Sequence, residues 1–303
     1  MKIIVIIAII IAIVVINKKE KIAKLEQFIL YAEKSNTDES RRELRQMVDS
    51  MGLSDSKFMD IRLRLYQRLA HEEDAFAQYR LGLDAMLKRN KSDALYWFTK
   101  AAKNGSIEAL CELGDGYSDF ANDPKFSLVG FGYDPEKSFQ YYLQAAKANN
   151  VNAMLHLASC YGAGEGVEAN SEMQVYWLTK GISLKDWRCC KALADYYNSI
   201  INPNYNQGTA LDLYRKSISF VKNREDFAEI LKAMGHIYGD AYFWNSEETP
   251  LSDRRKAQFC FVMADLADPD VTNAEYARKT NRVLTQQEFE MLKKDVDSLR
   301  ISF

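Results

Sequence analysis

The residues of this chain best suited to metal or redox chemistry are three histidines, His71, His156 and His236, and five cysteines, Cys111, Cys160, Cys189, Cys190 and Cys260. A structural zinc site draws its ligands from closely spaced pairs, and neither His-x-x-x-His nor Cys-x-x-Cys occurs, so zinc would need ligands gathered from distant parts of the chain. Cys189 and Cys190 are adjacent; on a helix their side chains point about 100° apart and bridge only with strain. An odd, unpatterned set of cysteines reads as small buried hydrophobes rather than a disulfide framework. Acidic residues are plentiful, but a general acid and base need one carboxylate desolvated beside another, which no spacing here specifies. The sequence thus offers no catalytic residue, no metal ligand and no cofactor-binding set; His156 reads as a structural histidine on a core helix.

One stretch does resemble a phosphate-binding loop. "YGAGEGVEAN", residues 161 to 170, carries Gly162, Gly164 and Gly166. A dinucleotide loop must follow a buried strand and open a helix, so that backbone N–H groups meet the pyrophosphate. Helical sequence lies on both sides, so the glycines are expected to supply the positive φ of a tight turn.

The elements that would position any site are helical throughout. With five prolines, abundant Ala, Leu and Lys, and no Val/Thr-rich runs after residue 16, nothing reads as a sheet. Forty Lys and Arg against forty-two Asp and Glu, spread evenly, exclude the basic face of a nucleic-acid binder. Residues 3 to 16 form an unbroken apolar run. At about 1.5 Å per residue it covers roughly 21 Å, which Met1, Asn17 and snorkelling Lys2 and Lys18 extend toward the ~30 Å bilayer core. No small-residue cleavage site or lipoprotein cysteine follows, so an uncleaved single-pass anchor over 1–18 is expected rather than a signal peptide. Lys18, Lys19, Lys21 and Lys24 after the run favour a cytoplasmic over a periplasmic C-terminal domain. Residues 19–73 read as helical linker and N-terminal capping helices.

From residue 74 the chain repeats. "ALCELGDGY", "AMLHLASCY", "AQYRLGLDA", "CCKALADYY" and "ILKAMGHIY" place Ala109, Ala153, Ala77, Cys189 and Ile230 four residues ahead of Leu113, Leu157, Leu81, Leu193 and Met234. A second apolar helix follows each, as in "YWFTKAAKNG" and "YWLTKGIS". Five helix pairs at intervals of 32 to 44 residues are the signature of an α-solenoid over 74–268. These stretches each match part of Small-x-x-x-Leu-Gly-x-x-Tyr, then Gly-x-Gly-Val, then Lys-Ala-x-x-Trp-Tyr-x-Lys-Ala-Ala, and the chain so resembles the Sel-one-like repeat, a relative of the tetratricopeptide repeat. The resemblance implies an all-α repeat solenoid that binds protein partners as adaptor or scaffold, without catalysis, cofactor or small-molecule substrate. Anchored members include immunity proteins that block lipase effectors of bacterial type VI secretion, so a toxin or effector enzyme is among the partners it implies. A structural subunit of a membrane complex is a further alternative.

If tetratricopeptide geometry carries over, offsets −1, +2, +6 and +9 from the small residue face inward. The first copy then presents Phe76, Tyr79, Leu83 and Met86; the fourth Arg188, Lys191 and Asp195; the fifth Glu229, Lys232 and His236. The apolar first set would take a partner helix or pack against the N-terminal helices. Two insertions carry loop aromatics, Phe126, Phe131 and Tyr133 in one and Tyr242, Phe243 and Trp244 in the other, either interface anchors or caps. Residues 269–303 end in an amphipathic helix with Thr285 and Glu288 as a capping box, expected to cap the last repeat or to bind a partner.

Overall fold

A computed structural model describes residues 56–71, 73–118, 130–243 and 254–267. All regular structure among them is α-helical. The helices are α1 (Ser56–His71), α2 (Ala75–Leu87), α3 (Lys91–Lys103), α4 (Ile107–Tyr117), α5 (Pro135–Lys147), α6 (Val151–Ala163), α7 (Ser171–Ser183), α8 (Trp187–Asn198), α9 (Gln207–Ile218), α10 (Arg224–Phe243) and α11 (Arg254–Ala267). The expected anchor and the helix of 269–303 lie outside the described residues. No described helix is long and apolar enough to cross a membrane.

Capping residues start these helices where the repeats predict. Asp74, Ser106, Asn150 and Asp186 accept hydrogen bonds from the backbone N–H of Ala77, Ala109, Ala153 and Cys189, the small residue of each copy. The residue ahead of each cap, Glu73, Gly105, Asn149 or Lys185, has positive φ. The cap's own N–H then reaches back to Leu69, Ala101, Ala145 or Gly181, closing the preceding helix in a Schellman turn. Arg89 and Asn90 build the same turn between α2 and α3. One three-residue connector therefore serves as C-cap and N-cap at once.

The turns inside the repeats vary in length but close on a shared bond. The N–H groups of Asp134, Asn170 and Asn206 donate to the carbonyls of Tyr117, Tyr161 and Tyr197, the tyrosines of the repeated pattern. Gly164 and Gly166 do take positive φ. Gly162 does not: it lies within α6, where a Cβ would meet the Gln174 side chain at 2.7 Å. The turn needs two glycines of the three for their backbone, whereas the Gln174 amide could swing away from a side chain at the third.

The chain forms two compact units, residues 1–141 and 142–303. In the first, Ala85, Ala94, Phe98, Ala101, Ala109 and Leu113 form a core where α2, α3 and α4 meet. A Cβ on Gly82 would stand 2.5 Å from the Phe98 ring, so α3 lies directly on the α2 backbone. Buried Gln78 ties three elements: its Nε2 donates to the Ala70 carbonyl and its Oε1 accepts from Asn104. In the second unit, Leu211, Tyr214, Ile218, Phe227, Ile230, Ile237 and Phe261 join α9, α10 and α11. Gly235 gives Phe261 the room that Gly82 gives Phe98. Buried Ser217 donates to the Trp187 carbonyl across α8 and α9. Cys189 Sγ lies over Gly181, so α7 and α8 touch nearly at backbone distance. Helix α10 departs from the repeat: it runs through Phe243, so Tyr242 and Phe243 belong to a helix and not to a loop as expected.

Candidate partner-binding face

In each unit one first helix carries a polar side chain that reaches the first helix of the next pair. In the first unit, the Tyr79 hydroxyl on α2 donates to Glu112 on α4 at 3.4 Å, and the Tyr79 ring lies 6.0 Å from Phe98. Burial, then the negative charge of Glu112, pushes the Tyr79 phenol up to about 12. Burial also raises the Glu112 carboxyl, helped by Asp115 and opposed by the Tyr79 hydrogen bond. In the second unit, Lys191 on α8 bridges Asp195 at 2.9 Å and Glu229 on α10 at 3.2 Å. Burial disfavours its charge, but the two carboxylates outweigh that and hold its pKa up. The Tyr214 hydroxyl donates to the other oxygen of Asp195, and burial beside that carboxylate raises the phenol strongly.

The other expected residues divide between surface and packing. Phe76 meets the Tyr66 ring of α1 edge-on at 6.2 Å, and the Arg80 guanidinium covers both rings. Leu83 and Met86 pack on the core of the first unit. These four residues are thus not an open apolar groove: Phe76 seats an N-terminal helix, and Tyr79 supplies the polar contact. Arg188 is exposed and pairs with Asp186 at 2.7 Å, and Lys232 is half-buried. His236 stands edge-on to Phe261 at 5.2 Å, held in the packing between α10 and α11. His156, expected as a structural histidine, is exposed and stacks on Tyr142 at 4.6 Å.

Phe131 corrects the reading of the first insertion as a free loop of aromatics. Its ring occupies the space over Gly116 and lies 5.7 Å from Tyr117 and 6.4 Å from Phe98. Tyr133 remains exposed. Phe126 and Trp244 lie outside the described residues.

Cys160, Cys189 and Cys190 are buried thiols pushed up, chiefly by burial, to about 11, 12 and 11. Among the described residues no three His, Cys, Asp or Glu side chains group as metal ligands. A cavity of about 300 Å³ opens beside α1, α2 and α3, but its carboxylates are engaged: Asp84 with Lys88 and Asp93 with Asn90, each at 2.7 Å.

Glu112 and Tyr214 escaped the sequence reading. Glu112 sits one position beyond the offset assigned to the inner face, and Tyr214 falls in a second helix, away from the offsets considered.

Tyr79 and Lys191 share the +2 offset, and both reach an acidic residue of the next first helix. The Sel1 repeat model matches residues 75–106, 127–150 and 151–186. Those segments are similar to Sel1 repeats. Helix pairs α2–α3 and α6–α7 fall in the first and third of these segments, and α5 in the second.

Solved structures with this architecture include the uropathogenic Escherichia coli protein c5321, a protective antigen with an SLR fold. It is 17% identical with a TM-score of 0.61, over 86% of this chain and 53% of that one, so the chain spans about half its length. A Sel1 repeat protein from Oxalobacter formigenes is 21% identical with a TM-score of 0.56, over 77% of this chain and 89% of that one. At these identities the likeness is one of fold. No curated protein matches the sequence.

Proposed function

We propose that this protein is a membrane-tethered protein-binding module whose Sel1 repeats present the first-helix face to a partner protein. The observation that carries the reading is the pair of contacts between successive first helices, Tyr79 to Glu112 and Lys191 to Glu229. Each presents half-exposed aromatic or charged groups on rigid helices, the kind of residue that anchors protein interfaces. Fixing these side chains before binding lowers the entropy lost when a partner docks. The tether is residues 3–16. A scaffold, a block on a toxin or effector lipase, and a subunit of a membrane complex use the same face and differ in the partner they retain.

The test is co-purification of partners from native membranes with the tagged full chain. Beside it run Tyr79→Ala, the double variant Lys191→Ala with Glu229→Ala, and Tyr96→Ala on α3 as a control, each checked by thermal melting. Phe76, Leu83 and Met86 are poor probes, since truncating them opens packing. A partner lost by folded Tyr79 or Lys191/Glu229 variants and kept by Tyr96→Ala is the expected result. A partner kept by all of them, or lost only with Tyr96, refutes the assignment of the face.

A further inference from the structure

The turn between α8 and α9, Ser199 to Asn206, points two isoleucines into solvent: Ile200 is 82% and Ile201 90% exposed. Apolar side chains this exposed are ordinary on a floppy tip, but this tip is built. The Asn202 side chain donates to the Tyr196 carbonyl at 2.7 Å and accepts from the Asn204 N–H at 2.9 Å. Asn204 in turn donates to the Tyr196 hydroxyl, and the Asn206 N–H closes the turn on the Tyr197 carbonyl. Pro203 stiffens the reversal. The isoleucines are held outward, where water solvates them poorly.

The chemistry around them selects what covers them. No charged residue occurs from Tyr196 to Leu211, so the turn itself carries no group that would pay a charge-desolvation penalty on entering an apolar phase. Tyr205 is exposed close behind the isoleucines, and Asn and Tyr side chains suit the headgroup layer. A protein interface ordinarily adds charged groups to its rim; this turn offers only neutral ones, Asn204, Tyr205 and Asn206.

We infer that the Ser199–Asn206 turn is a lipid-contacting element that dips Ile200 and Ile201 into the surface of the bilayer holding the chain. This rests on the reading of residues 3–16 as a membrane anchor, with residues 19–55 as the chain between it and the first described helix. Two isoleucines give weak partitioning by themselves, and the tether supplies the local concentration that makes it productive. The contact fixes the orientation of the second unit to the bilayer, a task an anchor on a linker cannot perform.

The experiment places the full chain in phosphatidylethanolamine/phosphatidylglycerol vesicles with an environment-sensitive fluorophore at Ile201→Cys. Half-buried Cys111 is replaced by Ser; the other four cysteines are buried. A matched label at Lys185→Cys, in the connector at the opposite end of α8, is the control. The expected result is a blue shift and quenching by nitroxide lipids at position 201 and neither at 185, with Ile200→Asp abolishing both. Flotation of the chain with the vesicles is read in the same samples. A chain that floats with an aqueous label at 201 overturns the loop assignment and leaves the anchor standing; a chain that does not float overturns both. A blue shift without nitroxide quenching, or one that appears only on adding a captured partner, assigns the turn to a protein contact and also overturns it.

Discussion

Replacing Gly181 by Ala tests the closest helix approach in the second unit. A methyl there would stand 2.2 Å from Cys189 Sγ and 3.1 Å from its Cβ, against a comfortable separation of about 3.5–4.0 Å. Alanine ordinarily gains about 1 kcal/mol over glycine within a helix. Overpacking a closed contact costs about 1–3 kcal/mol, and the shortfall in distance here puts it toward the upper end. The net expectation is a loss of about 1–2 kcal/mol, or a fall of roughly 3–6 °C in melting temperature for a unit of this size. Cys189→Ala alone empties a fully buried site and costs about 1–2 kcal/mol. In the double variant the new methyl enters the space the sulfur leaves, so stability returns close to wild type, with a coupling of about 2–4 kcal/mol, the sum of the two single losses. Urea and thermal unfolding followed by circular dichroism measure all four proteins. A stabilised Gly181→Ala protein, or additive losses in the double variant, would refute the contact and the role given to these two residues.

Three further outcomes are expected. Gln78→Met strips partners from the Ala70 carbonyl and Asn104 and lowers stability by about 1–3 kcal/mol in urea unfolding. Glu112 holds its proton more tightly folded than unfolded, so its contribution to stability is complete below the ordinary carboxylate pKa near 4.5 and is lost as pH rises through the elevated folded value. Glu112→Gln should flatten that part of the stability–pH curve, and Tyr79→Phe should remove the corresponding loss as pH rises from 10 through about 12. Finally, Lys185→Gly relieves a positive φ of 61° at a non-glycine residue, and a melting curve should show a gain of about 0.5–1 kcal/mol, whereas Gly105→Ala, at φ 97°, should lose stability.

The sequence made the repeats legible because burial leaves a periodic trace. Ala77, Ala109, Ala153, Cys189 and Ile230 are all fully buried, as their common offset from Leu or Met implies. The glycine turn was legible too, since only helical sequence flanks it. The connectors were half legible: Asp74, Asn150 and Asp186 announce a cap, but Glu73, Arg89 and Lys185 have no compositional mark of left-handed backbone. Phe131 could not be placed because its site is made by Gly116, a residue distant in sequence that reads only as small. Ile200 and Ile201 were passed over as loop residues, since apolar side chains in a short turn do not reveal whether they fold inward or out. The Tyr79–Glu112 and Lys191–Glu229 contacts depend on the angle between neighbouring first helices, which periodicity within one helix does not encode.

The three-residue connectors have a bearing on how such a chain changes length. Residues 104–106, 148–150 and 184–186 end one helix and begin the next with the same backbone path. Residues 151–186, one of the matched repeats, lie between two of them. Deleting that segment would join Asn150 directly to Trp187, leaving Asn149 in its left-handed turn and Asn150 as the cap of the helix that follows. Recombination between two such connectors removes or duplicates a whole repeat without creating a new kind of joint. Insertions that lengthen a single repeat have instead collected in the turns within the pairs, where the chain need only return to the tyrosine carbonyl it left.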